Sequence, residues 1–253
     1  MELYFGYKGE KYGWHTGLIP IAGTPLKDMH FYPTLMVDLP YLIFNNNAAH
    51  GFSFNYKLAG QKLDLKVLVD DNKGVKVSVD GEVVDSLSTK DQYTVDLSYP
   101  IKMAGIKVTP ELLKTVADEN AAAPMTYGAE LSLPKVAGFG LSAFFGATSQ
   151  TVEDTLTSLE AYTGWIGRVK LDGQIGPGAL TAWYDIGQIT PDVEDAISRD
   201  HSYLWLSYSY LLHKSEKGSV TIAPTYRLVK QKIEGSKDYT RAKIELTTQI
   251  TFK

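Results

Sequence analysis

Any chemistry in this chain must come from His, Ser, carboxylates and bases, because its 253 residues include no cysteine. Thiolate catalysis, disulfides and Cys-based zinc sites are therefore excluded. Nucleophilic catalysis needs a nucleophile, a base within hydrogen-bond reach and a group that orients the base. The five histidines are His15, His30, His50, His201 and His213, and none lies in a Gly-x-Ser-x-Gly or His-Glu-x-x-His context. The nearest approach is Asn45-Asn46-Asn47-Ala48-Ala49-His50-Gly51-Phe52-Ser53, which reads as an Asn-rich turn leading into a strand. Glu153-Asp154 and Asp192-Glu194-Asp195 offer carboxylate oxygens but no defined calcium loop. Gly173, Gly176 and Gly178 surround Pro177 as a turn, not as a phosphate cradle. No catalytic residue, metal ligand or cofactor is expected, and the chain is read as a non-enzyme.

The remaining polar residues recur at alternate positions. Lys57, Lys62, Asp64, Lys66, Asp96, Glu130, Glu160, Arg168, Lys170, Asp185, Arg227, Arg241, Lys243 and Glu245 all fall on the polar side of an alternating pattern. Such residues conduct rather than catalyse if they line a wet passage, because mixed charge there tunes ion preference without a tight site. What positions them is the period of two, which places successive side chains on opposite faces of a strand. Phe52, Phe54, Tyr56 and Leu58 oppose Ser53, Asn55 and Lys57, and Leu63, Leu65, Val67 and Val69 oppose Lys62, Asp64 and Lys66. Tyr93, Val95, Leu97, Tyr99 and Ile101 oppose Thr94, Asp96 and Ser98, and Leu180, Ala182, Tyr184 and Ile186 oppose Thr181, Trp183 and Asp185. With 16 Tyr and 22 Gly, the composition also leans towards β-structure.

The charge sum is 25 Lys+Arg against 29 Asp+Glu, net −4, so no basic surplus points to nucleic acid. No segment is apolar enough for a membrane helix of roughly 18 residues. Met1-Glu2-Leu3-Tyr4 enters strand-like sequence directly, so a signal peptide is either absent or already removed.

Alternation alone does not say which face meets water; size and the connections decide. A barrel of about 12–16 strands leaves a lumen, which in a soluble protein would be an apolar lining around water. Inverted, the same chain turns Phe, Leu, Val and Tyr to lipid and its charges to a wet interior. The strands match the ~9–11 residues that cross a bilayer at a tilt. Short turns (Leu58-Ala59-Gly60-Gln61, Asp80-Gly81, Lys214 to Gly218) alternate with long connections (Thr24 to Thr34, Met103 to Pro124, Ser149 to Thr157, Ile189 to Asp200). Tyr4, Tyr7, Tyr12, Trp14, Tyr93, Tyr99, Tyr127, Tyr203, Trp205, Tyr208 and Tyr210 cluster near strand ends as interfacial girdles do.

One helix is expected within a long connection: Thr109 as N-cap, Pro110 at N1, then Glu111, Leu112, Leu113, Val116 and Ala117. Folded inward, that loop would form a constriction presenting Glu111, Asp118 and Glu119. Thr190-Pro191-Asp192 suggests a second short helical turn.

The final strand Arg241-Ala242-Lys243-Ile244-Glu245-Leu246-Thr247-Thr248-Gln249-Ile250-Thr251-Phe252 resembles the terminal strand of bacterial outer-membrane β-barrel proteins of the porin kind. Lys253 departs from the pattern by following the terminal aromatic. The resemblance implies recognition by an outer-membrane assembly machinery and a bacterial outer-membrane location. The expectation is thus an all-β chain, residues 1–253 forming a single antiparallel transmembrane β-barrel with one short helix in a long loop. Its partners would be the lipid bilayer and small polar solutes or ions passing by diffusion; a homo-oligomer is compatible with this. The alternatives are a soluble β-sandwich that binds carbohydrate, an outer-membrane barrel enzyme, and a part of a larger barrel.

Overall fold

The fold is described from a computed structural model at residues 4–20, 26, 48–70, 77–79, 82–84, 92–116, 124–150, 162–192, 197–233 and 235–252. Regular structure there is almost wholly β. In chain order the strands are β1 (Tyr4–Lys8), β2 (Tyr12–Pro20), β3 (Ala48–Leu58), β4 (Gln61–Asp70), β5 (Val77–Val79), β6 (Glu82–Val84), β7 (Gln92–Ser98) and β8 (Ile101–Met103). They continue as β9 (Ile106–Val116), β10 (Met125–Ser132), β11 (Phe139–Gln150), β12 (Tyr162–Ile175), β13 (Gly178–Pro191), β14 (Arg199–Ser215), β15 (Gly218–Ile233) and β16 (Tyr239–Phe252).

Fourteen of these form one antiparallel sheet in the order β1-β2-β3-β4-β7-β9-β10-β11-β12-β13-β14-β15-β16, with β8 also paired to β9. Strands β5 and β6 form a separate hairpin. The sheet is a meander, each position hydrogen-bonded to the next along the chain. It is open: no ladder joins β1 to β16 among the described residues. Those two edges are the first and thirteenth positions of the path and so run in the same direction, and pairing them directly would make a parallel seam.

Tight turns lie at one end of the sheet and longer connections at the other. Ala59-Gly60, Ala104-Gly105 and Ala137-Gly138 each place two consecutive residues at positive φ, for example 47° and 79° in the first pair. Two left-handed residues give the turn twist that matches a β-hairpin, and glycine takes the second position without a Cβ clash. The expected long connection from Met103 to Pro124 is instead a tight turn at Ala104-Gly105, the strand β9 and a connection of residues 117–124.

The helix expected from Thr109 to Ala117 is therefore a correction, because Thr109 to Val116 belong to β9. The Thr-Pro-Glu start signal loses to the sheet through a local accommodation. Tyr99 N–H donates to Pro110 C=O at 3.2 Å, and the reciprocal bond is the one a proline cannot make. That gap falls where Tyr99-Pro100 interrupts the partner strand between β7 and β8, whose pairing with β9 keeps one register across the break (Ser98 with Glu111, Ile101 with Val108). Glu111, Leu113 and Thr115 then alternate with Leu112, Lys114 and Val116. The helical turn expected at Thr190-Pro191-Asp192 is likewise absent, since Thr190 and Pro191 close β13.

Cross-strand partners share a face, so the register sorts the whole sheet into two surfaces. One carries Ser53, Lys66, Thr94, Asp96, Thr115, Thr126, Thr148, Asp185 and Thr225, all buried. Hydroxyl pairs bridge it between strands: Thr94 with Thr115 at 2.9 Å, Thr126 with Thr148 at 2.8 Å, and Thr225 to Ser207 at 2.9 Å. The other face carries Phe52, Leu97, Tyr127, Phe145, Trp165, Tyr184 and Leu206, all exposed. Ile244 and Phe252, on the edge strand, are 80% and 83% exposed. A single layer shields one face in this way when it curls towards it, since side chains converge on a concave surface and diverge on a convex one. The polar face is thus the inner one.

Leu26, from the connection between β2 and β3, is fully buried in a cluster with Leu113, Phe144 and Ile166, against which Ile189 packs. These strand residues all belong to the inner face by register. A Cβ added to Gly128 would meet Leu26 Cδ1 at 2.8 Å, so the glycine provides the notch into which the leucine fits. Leu26 thus packs on the inner face; of the segment expected there, Thr109 to Val116 lie in β9 and residues 117–123 are outside the described residues.

Candidate functional site

The inner face gathers the alternating charges. Register places Lys57, Lys62, Asp64, Lys66 and Asp96 on it through the β3–β4–β7 ladders. Glu111 and Glu130 join through β9 and β10, although Glu111 sits on a strand and not on a loop. Arg168, Lys170 and Asp185 follow on β12 and β13, and Arg227, Arg241, Lys243 and Glu245 on β15 and β16. Glu160, Asp118 and Glu119 lie outside the described residues.

Two clusters stand out on this face. In the first, Lys66 lies directly across from Asp96 and its Nζ donates to Asp96 Oδ2 at 2.9 Å. Asp64 Oδ2 is 3.6 Å from the same ammonium. Ser98 sits between Asp64 and Glu111 in register, so one lysine stands among three carboxylates. Asp96 is 0% exposed, and its second oxygen has no hydrogen-bond partner. Burying a carboxylate in this way is costly unless a cation faces it.

The second cluster crosses β12 to β16. Arg168 lies opposite Asp185 and makes two hydrogen bonds to it, Nε to Oδ1 and Nη2 to Oδ2, each 2.7 Å. Trp183 and Trp205 face each other across β13 and β14 with ring centroids 4.6 Å apart and planes 7° from parallel. The Arg168 guanidinium stands 5.3 Å from the Trp183 ring, and that of Arg227 4.4 Å from the Trp205 ring. The result is a four-member stack of guanidinium, indole, indole and guanidinium, tied at its far end by an ion pair of Arg227 with Glu245. Each cation–π contact is worth about 0.5–2 kcal/mol according to how dry it is. Directly across the sheet, Lys170 pairs with Trp183, Trp205 with Arg227, and Arg227 with Lys243, so the bases form a row over the indole pair.

Sequence reasoning missed this stack in part. Alternation puts Trp183 on the side of Asp185, but Tyr203 and Trp205 were expected in the outer aromatic girdle. Register instead turns both inward, opposite Asp185 and Trp183, with Tyr203 1% exposed. Tyr7, Tyr12, Tyr93 and Tyr127 are exposed on the outer face as expected. The segment around Trp205 is apolar on both sides, so period two gives no sign of direction there.

The nearest approach to a catalytic pair is taken apart by the strand. His50 and Ser53 lie three positions apart on β3 and so project from opposite faces. Among the described residues, no group of three or more His, Cys, Asp or Glu is arranged to hold a metal ion, and no helix is long and apolar enough to cross a membrane.

No protein-family model matches the chain, and a search of curated proteins finds no match either.

Proposed function

We propose that the chain is a transmembrane β-barrel of the bacterial outer membrane that acts as a passive channel for small hydrophilic solutes or ions. The observation that carries this reading is the inversion of the two faces: the polar face is the shielded one and the apolar face is open. A soluble sheet arranged this way would leave exposed a row such as Phe145, Trp165, Val169, Tyr184, Ile186 and Leu206, far beyond the apolar patch that a soluble monomer tolerates. Hydrocarbon removes that cost, and a wet lumen accommodates the charged inner face. Strands of 12 to 17 residues from β11 to β16 exceed what a tilted bilayer crossing requires. The sandwich alternative calls for a second sheet over the apolar face, and among the described residues only the β5–β6 hairpin lies outside the main sheet.

In this reading selectivity comes from the lining charges and from Leu26, which packs on the inner face. The test is to refold the protein in detergent, add it to a planar bilayer and record current, with a parallel assay of solubility without detergent. Discrete conductance steps together with precipitation in plain buffer are expected. A monodisperse, non-conducting protein in plain buffer would overturn the reading.

A further inference from the structure

The channel reading leaves open what passes, and the way the inner face disposes its two signs of charge bears on that. Its carboxylates are withdrawn. Asp96 and Asp185 are fully buried, each against a cation, and Glu111 is buried too. Asp64, Asp172 and Glu245 also hold a basic nitrogen within ion-pair distance. The bases are presented. Lys57, Lys62 and Arg241 are exposed, while Lys170 and Lys243 are half-buried, the latter in an ion pair with Glu245.

Apart from Glu130, which is half-buried and accepts a hydrogen bond from Ser132, the carboxylates that a solute would meet along this face are buried or ion-paired, whereas several bases are open to it. This holds although the whole chain carries −4. Over β12 to β16 the inner face sets Arg168, Lys170, Arg227, Arg241 and Lys243 against Asp172, Asp185 and Glu245. There the stacked Trp183 and Trp205 hold the Arg227 guanidinium from one side and Glu245 holds it from the other, so its position in the row is fixed. Lys170, Arg227 and Lys243 lie along one line across the strands, with Arg241 one step away on the same face of β16.

We propose, on the basis of the channel reading above, that the solutes this face admits are small anions, guided along the basic row formed by Lys170, Arg227, Lys243 and Arg241. Arg227 is buried at the centre of the row and its neighbours are half-buried or exposed; cations spaced in this way attract an anion without closing a cage around it, which suits conduction, because a permeating ion must bind well enough to enter and loosely enough to leave. Arg227 and Lys243 share the carboxylate of Glu245, so the row supplies spaced, partly compensated positive charge and not a tight oxyanion clamp. Lys57 and Lys62, opposite each other on β3 and β4, extend the positive field to the tight-turn end of the sheet.

The experiment is the reversal potential of wild-type channels in a planar bilayer under a tenfold gradient of potassium chloride. The sign should report chloride as the more permeant ion. The triple variant Lys57→Glu, Lys62→Glu, Lys170→Glu should lower the chloride-to-potassium permeability ratio by about threefold or more. As a check that survives poor folding of the triple variant, Lys170→Cys gives the chain its single thiol. Labelling that thiol with an anionic methanethiosulfonate should move the reversal potential towards potassium, and a cationic reagent should not. A conducting wild type that prefers potassium, or a labelled Lys170→Cys channel with unchanged selectivity, overturns the anion inference alone. Complete absence of wild-type conductance overturns the channel reading beneath it.

Discussion

The Lys66 cluster on β4 to β9 and the Arg–Trp stack on β12 to β16 occupy the same face of the same sheet, yet they solve the burial of charge in opposite ways. Around Lys66 the carboxylates outnumber the cation, and among the described residues Asp96 forms its ion pair through that one ammonium. Around Trp183 and Trp205 the cations have two kinds of support each, a carboxylate and an indole face. The first arrangement hangs on a single residue, and the second distributes its load. A cross-strand pair holds a charge only as securely as its least replaceable partner, and an aromatic face makes the carboxylate more replaceable.

Substitutions can break that comparison, and the largest effect belongs to the first cluster. Lys66→Met strands Asp96 without a cation and should lower stability by about 3–5 kcal/mol, read as a lowered denaturant midpoint in micelles. Restoring neutrality with Asp96→Asn in the same chain should recover part of the loss. In the second cluster, Asp185→Ala should cost less than Lys66→Met, because the Arg168 guanidinium keeps its contact with Trp183. Equal or reversed losses would show that the indole lends Arg168 no support.

A smaller effect sharpens the same point. A double-mutant cycle on Arg227 and Trp205, using Arg227→Met and Trp205→Leu, should return a coupling of about 0.5–2 kcal/mol. A coupling indistinguishable from zero would reduce the stack to proximity. The smallest expected change lies outside both clusters. Ala59 adopts a left-handed conformation, which asparagine tolerates better, so Ala59→Asn should stabilise the hairpin by roughly 1 kcal/mol or less.

Much of the inner face is legible in the sequence, because a period of two needs only local information. Lys57 and Lys62, or Arg227 and Lys243, are assigned to one side by alternation within their own strands and prove to be direct cross-strand neighbours. What alternation does not carry is which acid meets which base, since that depends on register between strands distant in sequence, as for Lys66 and Asp96. It also fails where both sides of a strand are apolar, which is why Tyr203 and Trp205 were assigned outward. At Thr109-Pro110-Glu111 a strong local helix signal competes with the ladder, and the neighbouring break at Tyr99-Pro100 removes the cost of placing proline in a strand. Leu26 has no local signal at all. Its burial depends on the sheet curling so that Leu113, Phe144 and Ile166 converge beneath it.

The account stands on the orientation of the two faces, and the absence of native cysteine makes that directly measurable. Single cysteines introduced in turn at positions 163 to 171 of β12, spin-labelled in protein reconstituted into lipid vesicles, report contact with oxygen in the hydrocarbon and with a polar nickel chelate in water. Positions 165, 167 and 169 should favour oxygen and positions 168 and 170 the nickel chelate, with a period of two, while position 166, packed against Leu26, should be reached poorly by either. Oxygen-accessible labels at the even positions, or odd positions reached as readily by the nickel chelate, would contradict it.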